Sequence, residues 1–130
     1  MIGLLIVSHS SKAAEGIREI AMEMGGDEET VAAVGGDPDG GIGSSIDEIR
    51  AALETLLDRT DGVVILADLG SAVMNAETAI EMLERDADVV VADAPILEGA
   101  LNAAASTTSP KATVESVKAS AEEARDISKV

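Results

Sequence analysis

The only histidine in 130 residues lies in Ser8-His9-Ser10-Ser11. It follows the apolar run Ile2–Val7, so the imidazole stands where a buried strand turns into polar chain. A second apolar run, Val63–Ala67, ends in Asp68-Leu69-Gly70-Ser71. A histidine and a carboxylate at two strand ends suit one chemistry well. A neutral imidazole has one nucleophilic nitrogen. A carboxylate accepting the other ring N–H fixes the tautomer and steadies the ring as it gains charge. Hydroxyls of Ser10, Ser11 and Ser71, with backbone N–H groups at the helix starts that follow, could receive phosphate oxygens, and Gly70 would let the backbone come close. The pattern points to phosphoryl transfer, with His9 as carrier and Asp68 orienting it.

Plainer readings compete. A lone histidine after a strand is more often an ordinary turn residue, and Asp68 alone reads as a helix cap. A hydrolase triad is disfavoured, because Leu69-Gly70-Ser71-Ala72-Val73 lacks the G-x-S-x-G elbow. The glycine-rich stretch Gly35–Ser44 has no following Gly-Lys-Ser/Thr, so it is not a Walker A loop. Gly41-Ile42-Gly43-Ser44-Ser45-Ile46 lacks the third glycine of a dinucleotide fingerprint and reads as a flexible rim. The methionines read as core.

The elements that must position these residues follow from periodicity. Ala13, Ile17, Ile20 and Met24 recur at helical spacing after Lys12, and Gly25-Gly26 ends that helix. Thr30–Val34 reads as a second strand. Ser45 opens a helix, with Glu48 completing a capping box and Ile46, Ile49, Leu53, Leu56 and Leu57 as its stripe. After the Asp68–Ser71 turn comes a helix with Val73, Ala76, Ile80 and Leu83 on one face, and then a fourth strand, Val89–Ala92. Pro95 takes the first turn of a helix to about Ala105, and Ser109-Pro110 caps a last helix bearing Val114, Val117, Ala121 and Ala124. Strand–helix alternation predicts an α/β, flavodoxin-like three-layer αβα fold: a mainly parallel four-stranded sheet of order 2-1-3-4 with helices on both faces. Ligands in such sheets sit at strand carboxyl ends where the order reverses, which here places His9 beside Asp68. Residues 1–130 read as a single domain.

Composition narrows the function classes. Nine basic residues oppose 25 acidic ones, for a net charge of −16, which disfavours nucleic-acid binding. Such acidity also fits a salt-rich cytoplasm, where ions screen the self-repulsion; the melting temperature would then rise with KCl. There is no cysteine, so thiol catalysis, disulfides and cysteine-based metal sites are excluded, and no metal cluster is visible. Phe, Trp and Tyr are absent, leaving aliphatic residues and Met to fill the core. Neither a signal peptide nor an apolar run of about 20 residues is present, which implies a cytoplasmic protein without membrane insertion.

Leu5-Ile6-Val7-Ser8-His9-Ser10-Ser11, Asp68-Leu69-Gly70-Ser71-Ala72 and Ala94-Pro95-Ile96-Leu97-Glu98-Gly99-Ala100 together resemble the mannose-type EIIA family, in its DhaM branch. These are the phosphocarrier subunits of the dihydroxyacetone kinase that depends on the phosphotransferase system. The resemblance spans nearly the whole chain. It implies that His9 accepts a phosphoryl group from phosphorylated HPr. The group then passes to ADP held on the DhaL subunit, and the ATP formed phosphorylates dihydroxyacetone bound to DhaK. It also implies a homodimer and a phosphotransferase activity shared with those partners. No cofactor is expected on this chain, since ADP and Mg²⁺ belong to DhaL. In the family's pattern the aspartate matching Asp68 supports the histidine, and Gly70-Ser71 lines the phosphate site. Gly43 and Ser44, the latter at a position often occupied by Thr, join the candidate phosphate ligands. The alternatives are a mannose-type IIA component of a sugar transporter, a non-catalytic regulatory binding module, and a nucleotide-binding domain.

Overall fold

The computed structural model describes Met1–Val130. Its strands are β1 (Ile2–Ser8), β2 (Val31–Gly35), β3 (Gly62–Ala67) and β4 (Val89–Val91). Its helices are α1 (Ser11–Met22), α2 (Ile46–Leu57), α3 (Gly70–Glu81), α4 (Ile96–Ser106) and α5 (Val114–Glu122), followed by a 3₁₀ turn over Glu123–Asp126. The strands form one parallel sheet of order β2-β1-β3-β4, as the alternation predicts. No helix is long and apolar enough to cross a membrane.

Side chains alternate across a strand, so β1 and β3 supply both layers of core. Leu4 and Ile6, with Val64 and Leu66, face α1, α4 and α5; Leu5 and Val7, with Val63 and Ile65, face α2 and α3. Every one of these strand residues is fully buried, which explains the unbroken apolar runs. Truncating one of the buried leucines to alanine removes about 2–5 kcal/mol of stability. Alanines do much of the packing on the helix side: Ala100, Ala103 and Ala104 of α4, and Ala72, Ala76 and Ala79 of α3. With no aromatic side chain available, small helix faces bring the layers together.

Several local expectations change in the structure. The buried face of α1 runs through Ala14 and Ala21, with Ile17 partly covered, while Ala13, Ile20 and Met24 face solvent. The packed face is turned by one residue, because two alanines admit the close neighbours in β1, β2 and α4 better than Ile20 and Met24 do. Ser45 does cap α2 by accepting from the Glu48 N–H, but the reciprocal bond of a capping box is found instead at α5, between Thr113 and Ser116. Accordingly, Thr113 and not Ser109-Pro110 starts the last helix. Pro95 lies just outside α4 as its N-cap, with extended backbone, so the first helical residue is Ile96. β4 is short, ends at Val91, and is only partly buried.

Candidate phosphoryl-transfer site

β1 and β3 are neighbours, with Val7 paired to Ala67, so both chains leave the sheet at the same level. The Asp68 N–H still bonds to the Val7 carbonyl at 3.2 Å. The two turns therefore start in contact, and His9 meets Asp68 by construction. Gly35, at the end of β2, lets a third strand close on the turn: a Cβ there would lie 2.5 Å from the Ser10 carbonyl oxygen.

The Asp68 carboxylate is the hub. Its Oδ2 accepts from the Ser8 hydroxyl at 2.8 Å and from the His9 backbone N–H at 3.0 Å. Its Oδ1 lies 2.9 Å from His9 Nδ1. Burial pushes the Asp68 carboxyl up, but the bonds from the His9 N–H, the His9 ring and the Ser8 hydroxyl, with the charge the ring can carry, outweigh it and hold the group below the ordinary carboxylate range. An ionised carboxylate only accepts hydrogen bonds, so Nδ1 carries the proton and the Nε2 lone pair points outward. Nε2 lies 2.7 Å from the Ser71 hydroxyl, which donates to it. The imidazole is held rather than hidden, with 18% of its side chain exposed.

The candidate phosphate ligands separate into different roles. Ser71 touches Nε2 directly, while Gly70 begins α3 and has nothing within 4 Å of the place a Cβ would take. Ser10 turns its hydroxyl to the Ala13 N–H at 3.2 Å and caps α1. Ser11 is the exposed first residue of that helix. Gly43 gives its N–H to the His9 carbonyl at 2.9 Å, so it holds the turn in place, at a φ of +152° that favours glycine. The Ser44 hydroxyl accepts from Asn75 Nδ2 at 2.6 Å. The glycine-rich loop is braced internally, with Asp37 Oδ1 accepting from the Asp39 and Gly41 N–H groups at 3.0 and 2.7 Å.

Two polar residues at the site were not singled out by sequence reasoning. Ser8 is the last residue of β1, 2% exposed, and its hydroxyl fills the remaining side of Asp68. A polar residue closing an apolar strand beside a histidine is a signal that could have found it. Asn75 carried no such signal, since its partner lies 31 positions away in sequence. Leu69, next to Asp68 in the turn, is 58% exposed, and Ile42 of the glycine-rich loop and Met74 of α3 project into solvent. Beside it an open groove of about 670 Å³ runs between α3 and β4, lined by Val73, Ile80, Val89 and Val91 among others.

Comparison with known proteins identifies the family. The family model EIIA-man, described as the PTS system fructose IIA component, matches residues 3–118. A Listeria innocua phosphoryl donor subunit DhaM of PEP-dependent dihydroxyacetone kinase is 38% identical over 80% of this chain and 84% of its own length. The Escherichia coli counterpart is 40% identical over 84% of this chain, which spans only 24% of that longer protein. A crystal structure described as protein EF1359, of unknown function, superposes with a TM-score of 0.80 at 34% identity, covering 95% of this chain and 94% of its own. An EIIA component from Streptococcus agalactiae shares the fold at a TM-score of 0.61 and 22% identity, over 95% of this chain and 94% of its own. With its model matched over most of the sequence and a histidine held by an aspartate at the sheet's switch point, the chain belongs to the EIIA-man family of the phosphotransferase system.

Proposed function

We propose that this chain is a phosphohistidine carrier that takes a phosphoryl group from phosphorylated HPr and delivers it to ADP on a DhaL-like kinase subunit, for use in phosphorylating dihydroxyacetone. The observation that carries the reading is the Asp68–His9–Ser71 arrangement, in which Nδ1 is occupied at 2.9 Å and Nε2 faces outward. The family's phosphotransferase chemistry and relatives named as dihydroxyacetone kinase phosphoryl donors support it.

The exchange balances without any further reactant. The Nε2 lone pair attacks phosphorus in line while the bond to the donor imidazole breaks and its electron pair returns to the donor. His9 then carries a P–N bond, and its ring becomes more cationic. Asp68, already ionised and already bonded to Nδ1–H, stabilises that charge without reorganising. The Ser71 hydroxyl is freed from Nε2 and turns to a phosphoryl oxygen, beside the uncovered N-terminus of α3. In the second half a β-phosphate oxygen of ADP attacks phosphorus, and the P–N electrons return to Nε2. The carrier's work is orientation and charge placement, with the nucleotide and its Mg²⁺ on the partner subunit. Exposed Leu69, Met74 and Ile42 provide apolar docking area in an otherwise acidic chain, so each partner is expected to bring basic residues around its own reactive group. The reading places the carrier in the cytoplasm as a homodimer.

The test is intact mass after incubation with phosphoenolpyruvate, enzyme I and HPr in high salt, for wild type and His9→Ala. One acid-labile phosphoryl group on the wild type alone is expected, discharged by DhaL with ADP. Discharge to a IIB transporter protein instead would move the assignment to sugar uptake. A labelled chain that passes its group to neither acceptor would make it a regulatory module.

A further inference from the structure

Three contacts close a ring around the reactive nitrogen. Ser71 on α3 meets His9 Nε2 at 2.7 Å. Asn75, also on α3, donates from Nδ2 to the Ser44 hydroxyl oxygen at 2.6 Å. Gly43, next to Ser44, donates its N–H to the His9 carbonyl at 2.9 Å. Ser71 and Asn75 stand four positions apart, on one face of α3 and about one helical turn from each other. The half-buried Asn75 thus ties the glycine-rich loop to the same helix face that touches the imidazole.

We propose that Asn75 is a positioning residue that presents the Ser44 hydroxyl as a second donor to the phosphoryl group on His9. This role follows from the hydrogen-bond inventory of the Ser44 hydroxyl and rests on the carrier reading above. A serine hydroxyl has one proton to give and two lone pairs to offer. Asn75 donates to Ser44, which occupies a lone pair and leaves the proton free, and that proton goes to no protein group. The loop cannot easily carry Ser44 away, because Asp37 braces it from within and Gly43 pins it to His9. A phosphoryl group on Nε2 brings oxygens that one serine does not satisfy. Ser71 reaches one of them, and the Ser44 hydroxyl, bonded to Asn75 one turn along α3 from Ser71, is offered to another. The acidic chain gains most from such neutral donors, since they stabilise the added charge without a cation.

The experiment is rapid-quench transfer from phosphorylated HPr to wild type, Asn75→Ala, Ser44→Ala, the double variant and Ser44→Thr. Each alanine variant is expected to lower the maximal rate about 10-fold with the donor KM unchanged, as for loss of one donor to a charged group. The double variant should be no slower than Ser44→Ala, and Ser44→Thr should keep the wild-type rate. A normal rate in Asn75→Ala, multiplicative losses in the double variant, or a slow Ser44→Thr would overturn the proposal. Amide exchange at Gly43 gives an independent readout: it should be faster in Asn75→Ala, and an unchanged rate would remove the clamp. If the wild type takes up no phosphoryl group, the carrier reading and the Ser44 role fall together, while Gly43 exchange still shows whether Asn75 holds the loop.

Discussion

The turns after β1 and β3 look alike on paper: each leaves a buried strand, carries a polar residue that meets the other turn, and opens a helix of 12 residues. They end differently. Ser10 lays its hydroxyl over the first turn of α1, whereas Leu69, at the N-cap of α3, supplies no side-chain cap and points its own side chain to solvent. An N-cap hydroxyl normally stabilises a helix by about 1 kcal/mol, so a leucine there is a local disadvantage. The capped turn is built to aim His9. The uncapped one leaves its helix end open beside Nε2, where an incoming anion would take the place a cap otherwise fills. On the proposed reading, the two turns divide the labour between holding the nucleophile and receiving the group.

Substitutions can break or sharpen this division. The largest effect should come from Asp68→Asn. The amide keeps a single acceptor oxygen, which the fixed His9 backbone N–H claims; its NH2 then faces Nδ1, the ring is driven to the other tautomer, and the proton moves to Nε2. Transfer should fall on the order of 10⁴-fold, by analogy with the same change in serine-protease triads, while a thermal melt shows the fold retained. A rate near wild type would mean that Asp68 serves only the turn. Next comes Leu69→Ser, which gives α3 the cap it lacks. Stability should rise by roughly 0.5–1 kcal/mol in denaturant titrations, while transfer slows about fivefold because the hydroxyl competes for the helix end. Leu69→Ala, which removes the same apolar surface without adding a hydroxyl, separates that effect from lost docking.

Ser10→Ala is the converse. It should remove about 1 kcal/mol of stability and leave the transfer rate within about twofold, since the cap faces α1 and not the phosphoryl group. A transfer loss as large as that of Leu69→Ser would erase the distinction between the turns. The smallest effect is in acid. The folded Asp68 carboxyl lies below its ordinary value, so the unfolded chain binds more protons as pH falls. Its contribution is complete above about pH 5 and is lost progressively as pH drops below about 4 toward the folded value. Denaturant titrations should therefore show a steeper decline below about pH 4 in wild type than in Asp68→Asn. Parallel curves would mean that the folded carboxyl is not held down.

Much of the architecture was legible because it depends on local pattern. Short unbroken apolar runs rich in branched residues, at Ile2–Val7 and Val63–Ala67, read as strands buried on both faces, and such strands imply a parallel sheet with helices on each side. The pairing of His9 with Asp68 was legible for the same reason, since both stand at strand ends and the topology makes those ends adjacent. Legibility stopped where neighbours decide. The stripe Ala13, Ile17, Ile20 and Met24 is a good helical pattern, yet the packed face runs through Ala14 and Ala21, with Ile17 and Met22 at its border, because small side chains fit the closest approach to β1, β2 and α4. Ser10 and Ser71 are the same residue type after similar strands, and sequence could not say that one caps a helix and the other touches Nε2.

The sequence by itself determined the strands, their order and the meeting of His9 with Asp68, because periodicity and strand ends are local and the rules of α/β connection are few. Only the tertiary structure decided which imidazole nitrogen is free, that Ser8 completes the Asp68 hub, and that Asn75 reaches back to the glycine-rich loop. These are hydrogen bonds of about 3 Å between positions 31 to 62 residues apart. Their partners are chosen by side-chain direction once the backbone is in place, and no spacing along the chain records that direction.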